Sequence, residues 1–243
     1  MRISRFYVDL HLEKGAEFEL PEDVAHHLVR VLRAPAGSRL LLFNGRGQEY
    51  EACLTSVTKR SAQVRCDTPL EGLPDSPLDI TLCQAVSKGE RLDYAIQKAT
   101  ELGVTRIQLL QTERVDVRLS GDRLEKKLLH WQRVAVAAAE QCGRSSVPPV
   151  LAPAPWPVEP PANGVSLLLD PTATATVGEG TASQRYAVAI GPEGGFSDRE
   201  VAAGIALGWR GVRLGPRVLR TETAAPTVLA VLQAQWGDLA PAN

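Results

Sequence analysis

Three loops, each following a short apolar segment, hold the residues whose types and spacing favour ligand chemistry. They read LLLDPTA (167–173), AIGPEGGFS (189–197) and RLGPRVLRTETAA (213–225). If the apolar segments are parallel strands, these loops lie at the carboxyl edge of a sheet, where α/β proteins bind ligands. In the second loop, Gly191, Gly194 and Gly195 lack Cβ atoms, which would let a ligand approach the backbone closely. A tight strand-to-helix turn without a ligand explains the same glycines and stays open as an alternative.

The third loop adds charged side chains to this picture. Arg217 and Arg220 lie in a stretch, 201–221, that contains no acidic residue, and Glu222 follows at once. A purely structural explanation would make Thr223 a helix N-cap and Glu222 a partner of the helix dipole. That explanation leaves both arginines unaccounted for. Together the two loops predict a binding or catalytic site that combines exposed backbone, guanidinium groups and a carboxylate.

The front of the chain is predicted to form a small β-barrel that helps to position this chemistry. Residues 1–70 contain several short β-rich segments with turn residues between them. One helix is predicted over 21–32, with a buried face formed by Val24, Leu28 and Val31. The proline-rich stretch 70–79 contains few hydrophobic residues, so we expect the domain boundary there.

Beyond this boundary, predicted strands and helices alternate, which is typical of a parallel sheet covered by helices. Capping-box spacing at 87–90 and at 197–200 predicts two helix starts. The proline-rich segment 147–164 is interpreted as a surface connector. A last helix is expected over 223–236, with Pro226 in its first turn.

The composition excludes several classes of protein. The 243 residues are 44% hydrophobic and 23% charged with a formal net charge of −1, which is typical of a globular protein. Any nucleic-acid contact must therefore come from a local basic patch. Cys53, Cys66, Cys83 and Cys142 lack zinc-ligand spacing, so we expect reduced thiols and no metal. We found no signal peptide or apolar membrane span in the sequence, so a cytoplasmic protein is expected.

Several stretches resemble the RsmE family of ribosomal RNA methyltransferases, within the SPOUT superfamily. The most specific are IGPEGGFS (190–197) and, about twenty residues later, LGPRVLRTETA (214–224). Matching stretches elsewhere are HHLVRVLR (26–33), KGERLDYAIQKATELGV (88–104), TERV (112–115) and AAAEQCGRSSVP (137–148). The resemblance extends over essentially the whole chain.

This resemblance implies a two-domain α/β protein. Residues 1–70 would form a PUA-like RNA-binding barrel. Residues 78–243 would form a SPOUT methyltransferase domain, in which a mostly parallel sheet carries helices on both faces and a C-terminal trefoil knot. Knots are nearly absent from folded proteins, so the strand and helix pattern alone does not suggest one.

The resemblance also implies that S-adenosylmethionine is the cofactor, bound within the knot. By match to the family motifs, the cofactor-binding residues would be Leu169, Gly191, Pro192, Glu193, Gly195, Leu214, Gly215, Leu219, Arg220 and Thr221. The glycines would let backbone N–H and C=O groups hold the adenine. Leu214 and Leu219 would cover its faces.

The implied reaction is methyl transfer to N3 of a specific uridine in 16S ribosomal RNA, with the 30S subunit as the expected partner. Arg220 is the candidate that stabilises negative charge spreading over the uracil oxygens. A phosphate contact or a helix-packing role remains open for this arginine. Either Glu222 or a water molecule would accept the N3 proton.

We expect the RNA to bind to residues whose side chains are positively charged or titratable. The RNA-binding candidates are His26, His27, Arg30, Arg33, Arg39, Lys88 and Arg144. Residues 24–48 contain no acid, so a solvated basic face is the alternative interpretation of most of them. Family members form homodimers, and the same is expected here.

Two other function classes remain open at this stage. A non-catalytic RNA-binding or ribosome-assembly protein would keep the basic front domain but would not bind S-adenosylmethionine. Another RNA-base or small-molecule methyltransferase would keep the cofactor loops. A nucleotide-dependent oxidoreductase is disfavoured because the glycine loop lacks the G-x-G-x-x-G fingerprint.

Overall fold

A computed structural model of the chain describes residues 3–115, 120–180 and 182–239. The chain divides into two compact units. The first comprises residues 1–75 together with 139–147, and the second comprises 76–138 together with 148–243. The domain limits expected from the sequence, 1–70 and 78–243, remain a prediction.

The first unit is built on a five-stranded sheet with the order β1-β3-β4-β5-β2. Its strands are β1 (Arg5–Tyr7), β2 (Glu17–Glu19), β3 (Arg39–Phe43), β4 (Glu49–Val57) and β5 (Ala62–Leu70). Strands β1 and β3 run parallel, and the other pairs are antiparallel. In β5, Ala62, Val64 and Cys66 alternate inward, as a half-buried strand requires. The β-rich segments recognised in the sequence, RFYVDL, SRLLLFNG, QEYEACLTSV and SAQVRCD, do not include β2.

The predicted first helix is present, but part of it is wound differently from the expectation. Helix α1 (Glu22–His26) continues directly into a π-helical turn, His27–Val31, in which the Leu32 N–H donates to the His27 carbonyl. Val24 and Leu28 are buried as predicted, whereas Val31 is 61% exposed. The burial predicted for Val31 is therefore wrong. A π turn takes more residues than an α turn, so Val31 rotates out of the apolar face.

The second unit contains a six-stranded, wholly parallel sheet with the order β11-β9-β10-β6-β7-β8. Its strands are β6 (Asp79–Ala85), β7 (Arg106–Gln111), β8 (Val150–Pro155), β9 (Val165–Leu169), β10 (Arg185–Ile190) and β11 (Arg210–Val212). Its helices are α2 (Arg91–Glu101), α3 (Gly121–Cys142), α4 (Asp198–Ala206) and α5 (Thr221–Trp236). Since β11, β9 and β10 are neighbours, the three loops that follow them leave the sheet side by side.

The proline-rich segment 147–164 was interpreted as a surface connector, but part of it forms a strand. Residues Val150–Pro155 form the edge strand β8, which pairs with β7 alone. An edge strand has one row of N–H groups without ladder partners, so Pro153 and Pro155 are tolerated there. The sequence signal was hidden because prolines normally argue against a strand.

Two helix starts also differ from the expectation. Helix α2 begins at Arg91 without a side-chain cap, so the capping box predicted at 87–90 is wrong. Gly89 has a φ of +68°, and this left-handed turn keeps Ser87 outside the helix. Helix α5 begins at Thr221, two residues earlier than predicted, which places Pro226 inside the helix beyond its first turn. The capping box at 197–200 is confirmed.

None of the helices in the described ranges is long and apolar enough to cross a membrane.

A buried ion pair connects residues 144 and 145 to the sheet of the first unit. Arg5 Nε lies 2.9 Å from Glu49 Oε1, and both side chains are no more than 10% exposed. Arg5 also donates to the carbonyl oxygens of Ala139 and Arg144, each at 2.9 Å. The Ser145 hydroxyl donates to Glu49 Oε2 at 2.5 Å. Every polar atom of the pair therefore has a partner, which a buried ion pair requires to be stabilising.

The ion pair should make the first unit sensitive to acid. Burial raises the pKa of Glu49, but hydrogen bonds from Arg5 and Ser145 outweigh it and hold the pKa below its ordinary value. The stability that the pair contributes is thus complete above the ordinary carboxyl pKa. It is lost as the pH falls through the lowered value.

Replacing Arg5 by Met should lower the free energy of unfolding of the first unit by about 3–5 kcal/mol, because Glu49 would stay buried without a partner. Hydrogen exchange of the β3–β5 amides in the native protein measures this. Arg39→Met is the matched control, since Arg39 pairs with Glu51 on the exposed side of the same sheet. The control should change stability by less than about 1 kcal/mol. Equal effects of the two substitutions would contradict the assignment.

Candidate active site

A cavity of about 470 Å³ opens in the second unit where β9, β10 and β11 end. The three loops predicted to bind a ligand form its walls. Every residue assigned to the cofactor by resemblance lies in this lining, together with the catalytic candidate Glu222. These residues are Leu169, Gly191, Pro192, Glu193, Gly195, Leu214, Gly215, Leu219, Arg220 and Thr221. The structure therefore brings the ten predicted residues to one place.

The glycine loop is folded tightly upon itself. The Gly195 N–H donates to the Pro192 carbonyl at 2.8 Å, and Gly195 has a φ of +66°. A Cβ on Gly191 would lie 3.0 Å from the Phe196 nitrogen and 3.1 Å from the Gly195 carbonyl carbon. Backbone atoms cannot yield at that distance, so any larger side chain at 191 would open the loop. The shape of the loop itself therefore requires glycine at 191 and 195.

Buried polar contacts hold the far end of this loop. Glu200 Oε2 accepts from the Ser197 N–H at 2.8 Å, and Ser197 Oγ accepts from the Glu200 N–H at 3.2 Å. The other carboxylate oxygen, Oε1, accepts from the Glu113 N–H at 2.8 Å. Arg114 donates to the carbonyls of Gly194 at 2.7 Å and Phe196 at 3.3 Å. Residues 113 and 114, in the TERV stretch, therefore serve to fix the glycine loop.

A buried hydrogen-bond relay connects the glycine loop to the start of α5. The Thr221 hydroxyl donates to the Gly191 carbonyl at 2.9 Å and accepts from Gln84 Nε2 at 3.0 Å. Gln84 and Thr221 are both buried. The relay joins the ends of β6 and β10 to the first residue of α5. It fixes two walls of the cavity relative to each other.

Charged groups meet at the mouth of the cavity. Arg91 Nη1 donates to Glu193 Oε1 at 2.6 Å, and Arg91 Nε lies 3.7 Å from Glu222 Oε1. Burial raises the pKa of Glu193, but hydrogen bonds from its own backbone, from Arg91 and from the Lys88 N–H outweigh it and leave the pKa below its ordinary value. Glu222 Oε2 is buried and lacks a hydrogen-bond partner within the described ranges. An acceptor of this kind needs a donor from elsewhere.

The guanidinium groups of the third loop are open to ligands. Arg217 and Arg220 are exposed and line the cavity, and neither forms an ion pair with any residue that the structure describes. Arg220 is the N-cap of α5, and its carbonyl accepts from the Thr223 and Ala224 N–H groups. The structural alternative in which Thr223 caps the helix is therefore wrong.

Sequence reasoning missed three residues of this site: Gln84, Arg91 and Asp170. Asp170 directly follows β9 and lines the cavity. Its place at a strand end within LLLDPTA was a usable signal. Arg91 was hidden because the predicted capping box placed the helix start at residue 87. Gln84 lies within an apolar strand, and no local pattern distinguishes it from a core polar residue.

The candidate RNA-binding residues differ in their surroundings. Arg30 and Arg33 are exposed and have no acidic partner within the described part of the chain, whereas Arg39 pairs with Glu51. His26 and His27 are exposed on the helix before them, and the His27 ring lies 5.7 Å from the Phe6 ring. Arg144 pairs with Asp75 at 3.2 Å. The Lys88 side chain is exposed at the turn before α2.

Comparison with known proteins identifies the family. An RNA methyltransferase domain model matches residues 74–233, and an RNA methyltransferase PUA domain model matches residues 20–66. The ribosomal RNA small subunit methyltransferase E of Buchnera aphidicola (subsp. Schizaphis graminum) is 31% identical over 242 residues, which cover 98% of each chain. The Synechocystis protein of the same name is 35% identical over 221 residues. That alignment covers 86% of this chain and 70% of the Synechocystis protein.

The chain belongs to the ribosomal RNA small subunit methyltransferase E family. The resemblance to RsmE stated from the motifs is thereby confirmed. The predicted fold class is confirmed as well, with a SPOUT-type parallel α/β sheet and a PUA-like front domain. The trefoil knot stays a prediction.

Solved structures of the family show the same fold. The Neisseria gonorrhoeae ribosomal RNA small subunit methyltransferase E, bound to S-adenosyl methionine, superposes with a TM-score of 0.90 at 35% identity. The alignment covers 98% of this chain and 99% of that one. A Legionella pneumophila protein described as a methyltransferase, in complex with the bound cofactor SAM, gives a TM-score of 0.92 at 39% identity. The alignment covers 98% of this chain and 100% of the Legionella protein.

Thr221→Val should lower the free energy of unfolding of the second unit by about 1–3 kcal/mol, because the Gly191 carbonyl would lose its partner and the buried Gln84 amide would keep only its bond to the Ala85 carbonyl. Thr221→Ser keeps the hydroxyl and serves as the control. Urea denaturation followed by tryptophan fluorescence reports on this unit, which contains Trp131, Trp156, Trp209 and Trp236. A Val variant as stable as the Ser variant would show that the relay contributes nothing.

Proposed function

We propose that the protein transfers a methyl group from S-adenosylmethionine to N3 of a uridine in 16S ribosomal RNA. The observation that carries this proposal is the cavity formed by the three strand-end loops, which gathers all ten residues assigned to the cofactor by the family motifs. Family membership over nearly the full chain supports the substrate class. We further propose that the assembled 30S subunit is the substrate, that the protein acts as a homodimer, and that it works in the cytoplasm.

The cavity suits the proposed cofactor in size and chemistry. Its volume of about 470 Å³ falls within the range of sites that enclose small ligands. Gly191, Gly195 and Gly215 present backbone without side chains, and backbone groups can then hydrogen-bond an adenine directly. The carboxylates of Glu193 and Glu222 suit a ligand that carries a sulfonium cation. When bound, S-adenosylmethionine supplies an electrophilic methyl group.

Arg220 and Glu222 are the residues proposed to act on the uracil. Removal of the N3 proton spreads negative charge over O2 and O4, and a fixed guanidinium stabilises that charge. Arg220 suits this role because it is exposed at the cavity and forms no ion pair within the described residues. Glu222 suits the role of proton acceptor because its buried Oε2 lacks a donor among those residues, and the uracil N3–H would supply one.

RNA docking is assigned to the first unit. Arg30 and Arg33 are the proposed phosphate ligands, because their guanidinium groups are exposed and not neutralised by a neighbouring acid in the described structure. Arg39 and Arg144 are weaker candidates, since each already pairs with a carboxylate. A binding surface made of such arginines should lose affinity steeply as salt is added.

Methylation of purified 30S subunits tests the proposal. Subunits from cells that lack this gene are incubated with the protein and labelled S-adenosylmethionine, and the RNA nucleosides are identified by mass spectrometry. The proposal predicts 3-methyluridine in 16S RNA. Binding of RNA without binding of the cofactor would favour a non-catalytic RNA-binding protein. Methylation of free uridine at the same rate would favour a small-molecule methyltransferase.

Glu222→Gln should lower kcat by about 100-fold or more, because the amide cannot accept the N3 proton. Cofactor affinity is measured separately by calorimetry, so that loss of binding is not mistaken for loss of chemistry. Glu125→Gln is the control, since Glu125 is exposed on α3 and does not line the cavity. Turnover by Glu222→Gln near that of the control would mean that a water molecule or another group is the acceptor.

A further inference from the structure

A second, shallower cavity of about 480 Å³ adjoins the candidate active site at the start of α2. It is lined by Lys88, Gly89, Glu90, Arg91, Tyr94 and Glu222, and all of these except Glu222 are exposed. None of the ten residues assigned to the cofactor lies in this lining. Arg91 and Glu222 also line the larger cavity, so the two cavities share one wall. We call the smaller one the α2 cavity.

The shared wall carries the proposed proton acceptor. Glu222 Oε2 is buried and has no hydrogen-bond partner in the described ranges, and Arg91 Nε lies 3.7 Å from the other oxygen of that carboxylate. A general base must come within hydrogen-bond reach of the proton that it accepts. With the methyl donor in the larger cavity, the α2 cavity offers the acceptor molecule an approach of its own to Glu222.

The side chain of Tyr94 lines the α2 cavity without an aromatic partner. It is 46% exposed. Tyr7 and Tyr186 each pack against a second ring, whereas no ring in the described part of the chain contacts Tyr94. The Lys98 ammonium lies over one face of the Tyr94 ring, 5.7 Å from its centre, which leaves the opposite face for a ligand. A single exposed tyrosine indicates nothing by itself, but this one lines the same cavity as the proposed proton acceptor.

The charges around the α2 cavity cancel. Lys88 and Arg91 contribute two positive charges, and Glu90 and Glu222 contribute two negative ones. Such a cavity has no net charge to attract a phosphate, and a flat, electrically neutral occupant suits it better. Enzymes that modify a nucleic-acid base take the base out of the stack into a pocket, where aromatic side chains stack on it. A uracil is flat and neutral, and it can direct its N3–H at a carboxylate.

We propose that the α2 cavity receives the target uracil, with the Tyr94 ring stacked on its face and its N3–H directed at Glu222. The inference rests on the proposed function and adds the place where the acceptor base binds. Tyr94 is then a substrate-binding residue, and Glu222 stands between the acceptor base and the larger cavity. The stack fixes the plane of the uracil, and a fixed plane aligns N3 with the methyl group.

Photo-crosslinking tests the contact directly and does not depend on turnover. Unmethylated 30S subunits are assembled with 16S RNA partly substituted with 5-iodouridine, bound to the full-length protein and irradiated. The linked residues are then identified by mass spectrometry. Halogenated uracils link to aromatic side chains that stack on them, so a uridine linked to Tyr94 is expected. Links confined to other residues would overturn the inference.

Steady-state kinetics with unmodified subunits measures what the ring contributes. Tyr94→Leu should lower kcat/KM by about tenfold or more, because stacking of the base on an aromatic ring is lost. Tyr94→Phe keeps the ring and should stay close to the wild type. Calorimetry should give both variants the wild-type affinity for S-adenosylmethionine. Gln97→Ala is the matched control, since Gln97 is exposed on α2 and lines neither cavity.

Three kinetic results would contradict the assignment of Tyr94. They are wild-type kcat/KM in Tyr94→Leu, an equal loss in Tyr94→Phe, and an equal loss in Gln97→Ala. A lower sedimentation mass of Tyr94→Leu in the absence of subunits would show that a second copy of this chain covers the ring, and it would overturn the inference as well.

The same experiments separate this inference from the proposed function. If the wild type forms 3-methyluridine while Tyr94 neither links to uridine nor affects kcat/KM, the reaction stands and the place assigned to the uracil is wrong. If Tyr94 links to uridine but no 3-methyluridine forms, the proposed reaction is wrong and the α2 cavity remains a base-binding site.

Discussion

The close approach of the glycine loop to the start of α5 is the constraint on which the second unit depends. The Gly191 carbonyl reaches the Thr221 hydroxyl, and that hydroxyl reaches the Gln84 amide, so three segments far apart in sequence meet at one buried hydroxyl. The contact is possible only because residue 191 has no Cβ; a larger side chain would collide with the backbone of residues 195 and 196. The cavity is the space that remains on the outer side of this junction.

The surroundings of the junction explain how its shape is kept. Both carboxylate oxygens of Glu200, and Nη1 of Arg114, bond to backbone groups of the glycine loop and of residue 113. At the cavity itself, Glu222 Oε2 has no hydrogen-bond partner and the guanidinium of Arg220 has no ion-pair partner among the described residues. The satisfied contacts thus hold the loop in place, and the two unpartnered groups at the cavity are the ones proposed to act on the substrate. Alignment of this kind lowers the barrier of a transfer reaction substantially.

How much of this could be predicted differs from element to element. Glycines, capping residues and strand periodicity are local signals, and they led correctly to the parallel sheet, the capping box of α4 and the three loops. The edge strand β8 was missed because prolines oppose strands except at a sheet edge, and the edge is a property of the whole sheet. Arg91 and Gln84 were missed because their significance lies in partners more than one hundred residues away. Similarly, the stretch 24–48 looked uniformly basic, and only folding brings Glu51 to Arg39 and Asp9 to Arg46.

The most direct measurement is hydrogen exchange of the backbone amides with and without S-adenosylmethionine, resolved by mass spectrometry. If the three loops close around the cofactor, amides in 169–173, 190–197 and 213–222 should exchange more slowly in its presence, while peptides of the first unit stay unchanged. Unchanged exchange in these loops, or protection confined to another region, would contradict the central claim.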